Sequence, residues 1–182
     1  MNVPNMLTVG RIVMIPLMVV SYYWLGVGGK TWAACLFALA AVTDWFDGYL
    51  ARRWNQSTAL GAFLDPVADK LIVAAALMVL VEAYATPWMT IPAMIIVGRE
   101  IVISALREWM AELGKRASVA VSWIGKVKTA LQMISIILLL AAQEHPELDW
   151  FGIAFLYGAA ILTLWSMFVY LQAAWPDLQE KR

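Results

Sequence analysis

The sequence predicts an all-α integral membrane protein, because of its composition, its six apolar segments and the turn residues between them. Of its 182 residues, 63% are hydrophobic and 14% are charged, whereas soluble domains are about 45–50% apolar and about 25% charged. A soluble protein of 20.3 kDa could not bury this much apolar side chain. The single cysteine, Cys35, excludes a disulfide scaffold. The balance of 13 basic and 13 acidic residues excludes a nucleic-acid binder that relies on net charge.

Six apolar segments predict six transmembrane helices, since a helix needs about 20 apolar residues to span a bilayer. Short connections with turn-forming residues, such as Gly28–Gly29 and Thr86–Pro87, separate these segments. Residues 2–11 are expected to form a short interfacial segment that leads into the first helix. The chain, residues 1–182, is expected to be one membrane-embedded domain. The predicted helices are residues 8–27, 31–53, 60–83, 88–110, 119–143 and 150–173.

The distribution of lysine and arginine predicts the orientation of the helices. An even number of helices places both termini on one side of the membrane. Most of the basic residues flank helix ends on that side, whereas the opposite connections carry only Lys30. The positive-inside rule therefore predicts that both termini of this multi-pass protein are cytoplasmic.

In the predicted second to fifth helices, the charge-free stretch is too short to span the bilayer. In each of them, the charge-free stretch ends before the helix would reach the cytoplasmic surface of the bilayer. Ionisable residues at that depth usually face the bundle interior or a wet cavity. We therefore expect one polar cavity that opens toward the cytoplasm. The charge-free runs are residues 31–43, 71–81, 83–98 and 129–143.

Four aspartates are expected in this cavity. Asp44 and Asp47 share one face of the second helix, and Asp65 and Asp69 share one face of the third. Four bare carboxylates would repel each other in a medium of low dielectric constant. Oxygen ligands without nearby histidine or cysteine favour hard cations. The pattern therefore predicts two divalent cations, Mg²⁺ or Mn²⁺, although acids at helix ends can also be purely interfacial.

The segment DWFDGYLARRWNQSTALGAFLDPVADK, residues 44–70, resembles the signature of the CDP-alcohol phosphatidyltransferase family. Three further segments resemble the members of that family that use glycerol phosphate: residues 4–11, residues 97–109 and residues 118–129. The resemblance implies a six-helix bundle that forms one catalytic domain. It also implies transfer of the phosphatidyl group of CDP-diacylglycerol to sn-glycerol 3-phosphate, giving phosphatidylglycerol phosphate and CMP. A homodimer in the lipid membrane, with no nucleic-acid partner, is implied as well.

The resemblance also implies roles for single residues. Asp44, Asp47, Asp65 and Asp69 would be metal ligands, and Asp69 would in addition be the general base. The expected CDP-binding residues are Gly48, Ala51, Arg52 and Gly61, with Thr43 as a further candidate whose hydroxyl could instead bond to its own helix.

Basic residues near the cavity are candidates for binding the phosphate of the acceptor. These residues are Arg99, Arg107, Lys126 and Lys128. Anchoring at the inner membrane surface is the alternative for all except Arg99. That residue lies so deep in the membrane that its charge would carry a high free-energy cost in an anchoring role. Glu100 is expected to lie off the helix face of Arg99, because adjacent residues do not share a face.

Thr8 and Arg11 have two interpretations. They could form a lid over the cavity. Alternatively, Thr8 could cap the first helix and Arg11 could extend its side chain to lipid phosphates.

Two other functions compete with this interpretation. Intramembrane aspartates also occur in small ion carriers, although here the polar residues cluster at one leaflet only. A related enzyme with another acceptor, such as serine, inositol or phosphatidylglycerol, would carry the same aspartates.

Overall fold

The chain folds into six long helices in a computed structural model. A short 3-10 helix, Pro146–Leu148, precedes the last of them. The helices are α1 Val3–Trp24, α2 Gly29–Trp54, α3 Ala59–Tyr84, α4 Pro87–Glu112, α5 Trp123–Ala142 and α6 Asp149–Gln179. The structure describes the backbone of residues 3–54, 59–112 and 123–179. Within those ranges it describes all side chains except those of residues 3–5, 45–54, 59, 60, 62, 123, 124, 173, 174 and 176–179.

Each predicted helix is present, with shifted ends. The largest difference is at the N-terminus, where α1 runs without a break from Val3 to Trp24. The prediction of a segment over residues 2–11 separate from the first helix is therefore wrong. Pro4 does not prevent this early start, because a proline is tolerated in the first turn of a helix. The predicted beginning of the fifth helix, residues 119–122, lies outside the described residues.

Within the described residues, four segments are long and apolar enough to cross a membrane, so the chain is a multi-pass membrane protein. Helix α3 falls short of the same measure, because Asp65, Asp69, Lys70 and Glu82 interrupt its apolar sequence. The charged half of α2 has side chains outside the described set. The four segments are Met6–Trp24, Pro87–Glu112, Gly125–Ala142 and Pro146–Gln172.

The six helices close into a ring. In order around it, α1 packs against α2, α2 against α5, α5 against α6, α6 against α4, α4 against α3, and α3 against α1. Helix α3 also touches α5 across the ring. Among the described residues, α1 packs against both α2 and α3, which touch each other only sparingly. This arrangement leaves α2, α3, α4 and α5 around a common interior.

Small residues allow the helices to approach closely. Ala33, Ala40, Ala76 and Ala159 are fully buried at helix contacts, as is common where helices cross in membranes. Gly152 is an example of the same constraint at the contact of α5 and α6. A Cβ atom there would lie 2.7 Å from the side chain of Leu139.

The end of the bundle that carries Lys30 is fastened by a carboxylate. Glu144, after α5, accepts hydrogen bonds from the backbone N–H groups of Gly28 at 2.8 Å and Thr31 at 3.1 Å. It also accepts one from the hydroxyl of Thr31 at 2.6 Å. These groups lie at the N-terminus of α2, where free N–H groups and the helix dipole favour a negative charge. Glu144 therefore ties the end of α5 to the beginning of α2.

Candidate active site

Three of the four predicted aspartates have described side chains, and α1 brings them into one cluster. Asp44 lies on α2, whereas Asp65 and Asp69 lie one turn apart on α3. Pro66 follows Asp65 and removes one backbone donor from α3. All three carboxylates are bound by side chains of α1, which is the helix that separates α2 from α3.

Arg11 provides the central contact of this cluster. Its Nη1 atom lies 2.9 Å from Oδ1 of Asp44 and also contacts Oδ1 of Asp69. Only 1% of the Arg11 side chain is exposed. The guanidinium therefore does not extend to lipid phosphates, and it places positive charge between carboxylates of two different helices.

Thr8 makes the second contact from α1. Its hydroxyl donates a hydrogen bond to Oδ1 of Asp65, and the residue is buried. Thr8 cannot cap the first helix, because that helix already begins at Val3. Both residues that sequence reasoning treated as a possible lid are thus buried against the aspartates.

The predicted CDP-binding residues are only partly described. The side chains of Asp47, Ala51 and Arg52, and the surroundings of Gly48, lie outside the described set, although their backbone belongs to α2. Gly61 is buried in the first turn of α3. The hydroxyl of Thr43 donates to carbonyl oxygens of its own helix, those of Leu39 and, at 3.2 Å, Ala40.

The described acids do not form a ready-made metal site on their own. Among residues with described side chains, no three carboxylate, imidazole or thiol groups are gathered around one point. The guanidinium of Arg11 contacts both Asp44 and Asp69, the hydroxyl of Thr8 binds Asp65, and the side chain of Asp47 is outside the described set. The donors are nevertheless all oxygen atoms, and two of them face a single cationic atom.

A second charged cluster joins α4 to α5. Oε1 of Glu100 accepts from Nη1 of Arg99 at 2.6 Å and from Nζ of Lys128 at 3.0 Å. Arg99 and Lys128 are both buried. The expectation that Glu100 lies away from Arg99 is wrong, because two long side chains reach each other even from adjacent positions.

The remaining predicted phosphate ligands lie differently. Arg107 is exposed, and its guanidinium lies 5.5 Å from the ring centroid of Tyr170 on α6. Arg99 lies 5.9 Å from the centroid of the same ring. Lys126 is exposed, and no contact brings it to this cluster within the described part of the chain.

One cavity of about 480 Å³ connects the two clusters. Asp44 and Asp69 of the first cluster line it, as do Glu100 and Lys128 of the second. Lys70, which donates to the hydroxyl of Ser104 on α4, also lines it. The rest of the wall is largely apolar. This geometry brings together acids that suit cations, bases that suit a phosphate, and an apolar surface.

Sequence reasoning missed two residues of this arrangement. Glu100 stands in a segment that was singled out, but helix-face spacing alone placed it on another face. Tyr170 lies within the long charge-free run of the last helix, which gave no signal for a polar role. A tyrosine in an otherwise apolar membrane helix is the feature that could have pointed to it.

The comparisons with known proteins agree over nearly the whole chain. Residues 1–165 match the family model described as CDP-alcohol phosphatidyltransferase. A CDP-diacylglycerol–glycerol-3-phosphate 3-phosphatidyltransferase of Yersinia enterocolitica is 55% identical over 180 residues, which cover 99% of this chain and 98% of the relative. Proteins of the same name from Salmonella choleraesuis and Shigella flexneri are 54% and 55% identical, with the same coverage. The family resemblance of the sequence is confirmed: the chain belongs to the CDP-alcohol phosphatidyltransferase family.

Proposed function

We propose that this protein transfers the phosphatidyl group of CDP-diacylglycerol to sn-glycerol 3-phosphate, forming phosphatidylglycerol phosphate and CMP. The observation that carries the proposal is the identity of 55% over 99% of the chain to a relative with that name. The cavity offers matching chemistry, because both acids and bases line it.

The basic residues in and beside the cavity suit the acceptor. Glycerol phosphate carries two negative charges on its phosphate near neutral pH, and buried arginine and lysine are the side chains that pair with phosphate oxygens. Nε of Arg99 is buried and has no hydrogen-bond partner among the described residues. It is therefore a donor that an oxyanion could engage. Arg107 and Lys126 are the other bases we assign to the acceptor phosphate or its approach.

The apolar wall suits a lipid donor. Leu71, Met78 and Ile101 line the cavity, and each of them is also exposed on the surface of the bundle. The cavity thus opens sideways between helices that carry lipid-facing side chains. Such an opening admits acyl chains while the polar head of CDP-diacylglycerol reaches the aspartates.

We assign Asp44, Asp47, Asp65 and Asp69 as the ligands of two divalent cations, Mg²⁺ or Mn²⁺. Oδ1 atoms of Asp44 and Asp69 already face one cationic atom, Nη1 of Arg11, so the donor set fits a cation. When bound, such ions neutralise the pyrophosphate and stabilise the CMP leaving group.

The protein groups then have defined tasks. The basic residues Arg99 and Lys128 hold the acceptor so that its hydroxyl lies in line with the phosphorus–oxygen bond to CMP. As the hydroxyl oxygen bonds to phosphorus, that bond breaks and the proton of the hydroxyl passes to Asp69. We assign nucleotide contacts to Thr43, Gly48, Ala51, Arg52 and Gly61.

The proposed setting is a homodimer of a six-span protein in the bacterial cytoplasmic membrane, with both termini and the active site on the cytoplasmic side. The side on which lysine and arginine concentrate supports this orientation. Helix α3 would cross the membrane with its charged residues turned toward the cavity, which is how intramembrane charges are usually accommodated.

The experiment is release of CMP from CDP-diacylglycerol by purified protein and by its Asp69→Asn variant. The variant should lose turnover by at least about a hundredfold, as expected for loss of a general base, and still bind CDP-diacylglycerol. Glu147→Gln, exposed at the opposite end of the bundle, is the control and should turn over like the parent. Parent-like turnover of Asp69→Asn would refute its role as base.

A further inference from the structure

We propose that Glu100 is a positioning residue, which sets Arg99 and Lys128 for the phosphate of the acceptor. The inference rests on the proposed function, because it concerns the same pocket. It assigns a task to a carboxylate whose presence beside a phosphate site is otherwise unfavourable.

The geometry places Glu100 between the two bases. A single oxygen atom, Oε1, accepts from Arg99 at 2.6 Å and from Lys128 at 3.0 Å. Two bases that share one acceptor atom have little freedom relative to each other. Their spacing is therefore determined by Glu100 and not by the rotamers of two long side chains.

The bond to Lys128 also joins two helices that line the cavity. In the described part of the chain, α4 packs against α3 and α6, whereas α5 packs against α2, α3 and α6. Helices α4 and α5 have no direct packing contact with each other there. The ion pair of Glu100 and Lys128 is thus a link between two walls of the pocket.

Electrostatics explain why the bases need this carboxylate. Only 9% of the Arg99 side chain and 5% of the Lys128 side chain are exposed. Two buried cations side by side repel each other, and an unpaired buried charge is costly. Glu100 offsets one of the two positive charges and leaves a net positive cluster. That cluster still attracts a phosphate. When no phosphate is bound, Glu100 reduces the repulsion between the two bases.

Two opposing effects decide the outcome of removing the charge. Glu100 repels an incoming phosphate, so its neutralisation could tighten acceptor binding. It also holds the two bases in place, so its neutralisation should loosen acceptor binding. The shared acceptor atom and the burial of both bases favour the second effect, because a flexible pair must be ordered again at each binding event.

The test measures KM for glycerol phosphate and for CDP-diacylglycerol in Glu100→Gln, Lys128→Met and the double variant. Glu100→Gln should raise KM for glycerol phosphate about tenfold, the effect of losing one charge-assisted hydrogen bond. KM for CDP-diacylglycerol should change less than about twofold, because the substitution removes no hydrogen bond to that substrate. In the background of Lys128→Met, the further change Glu100→Gln should have less effect than it has alone, since part of its effect is exerted through that lysine.

Controls separate positioning from general stability. Glu112→Gln, exposed at the end of the same helix, should leave both KM values unchanged. Glu100→Asp keeps the charge but shortens its reach, so it should raise KM for glycerol phosphate while the melting temperature stays near that of the parent. This variant also serves if Glu100→Gln does not fold.

The inference is overturned if Glu100→Gln lowers or does not change KM for glycerol phosphate, if both KM values rise equally, or if the double variant is additive. Absence of turnover with glycerol phosphate in the parent protein would instead overturn the proposed function. The two failures are therefore distinguishable in one set of assays.

Discussion

Arg11 of α1 and Asp44 of α2 form an ion pair, with Nη1 of the arginine 2.9 Å from Oδ1 of the aspartate. The same nitrogen contacts Asp69 of α3, so one guanidinium joins three helices. In the described part of these helices, the aspartates of α2 and α3 are joined through this side chain of α1. The N-terminal helix is therefore a structural part of the site and not only a membrane anchor.

Replacing Arg11 with methionine should destabilise the protein in the absence of divalent cations. Asp44 and Asp69 would then face each other without a counter-charge. The expected loss of unfolding free energy is about 1–3 kcal/mol, below the range for a fully buried pair because both carboxylates are more than a third exposed. Thermal unfolding in detergent with EDTA measures the effect, and added Mg²⁺ should restore part of the loss.

Lys30→Met provides the matched control for loss of a positive charge, because Lys30 lies at the opposite end of the bundle. Its melting temperature should respond to Mg²⁺ as that of the parent does. A variant Arg11→Met that melts like the parent in EDTA would show that the arginine does not stabilise the aspartate cluster.

Thr8→Val should weaken the site through Asp65. The change removes the hydroxyl that donates to the Asp65 carboxylate and keeps the branched shape of the side chain. Hydrogen bonds to charged groups contribute about 1.5–3 kcal/mol, so turnover should fall about tenfold or more. Steady-state release of CMP measures it. Thr8→Ser should retain most of the activity, and equal losses in both variants would point to packing and not to the hydrogen bond.

Tyr170 should affect the acceptor more than the lipid donor. Its ring lies next to the guanidinium groups of Arg99 and Arg107, and such contacts contribute about 0.5–2 kcal/mol. Tyr170→Leu should therefore raise KM for glycerol phosphate by about threefold to tenfold. Tyr170→Phe keeps the ring and should raise KM for glycerol phosphate less. Parallel changes in KM for CDP-diacylglycerol would contradict a role at the acceptor pocket.

The tie between α5 and α2 should give the protein an acid-sensitive component of stability. The hydrogen bond from Thr31, together with backbone N–H groups of Gly28, Lys30 and Thr31, lowers the pKa of Glu144 below its ordinary value of 4.5. The carboxylate form is thus favoured in the folded state. Its stabilising contribution is complete above the unfolded-state pKa and is lost as the pH falls through the lowered folded-state pKa.

Melting temperatures of the parent and of Glu144→Gln, measured between about pH 3 and pH 7, test this contribution. The difference between the two proteins should be largest near neutral pH and should shrink below the ordinary glutamate pKa. Glu147→Gln, in which an exposed neighbour is changed, should show a smaller difference. A constant gap between parent and Glu144→Gln at every pH would exclude the ionised form as the source of the stabilisation.

The helices could be predicted from the sequence because they depend on local apolar length. Each predicted segment corresponds to an observed helix, and the turns at Gly28 and Pro87 separate helices as expected. The beginning of α1 could not be placed, because residues 3–8 are neither charged nor strongly apolar. Hydropathy therefore does not distinguish a surface segment from the first turns of a helix there.

Only those features of the candidate site that depend on a single helix could be predicted from the sequence. The spacing of Asp65 and Asp69 on one helix fixes their common face. The roles of Arg11 and Thr8 depend on which helices α1 packs against, and that is a tertiary property. Glu100 was misplaced because helix-face rules compare Cβ positions, whereas the ends of long side chains reach across a face boundary.

The proposed reaction transfers a phosphatidyl group to glycerol phosphate with the help of divalent cations. The most direct test is release of CMP from CDP-diacylglycerol by purified protein with a panel of acceptors: sn-glycerol 3-phosphate, serine, inositol and phosphatidylglycerol. Each acceptor is assayed with Mg²⁺, with Mn²⁺ and with EDTA. CMP release should be rapid only with glycerol phosphate, and no release is expected in EDTA. Preference for another acceptor, or full activity in EDTA, would contradict it.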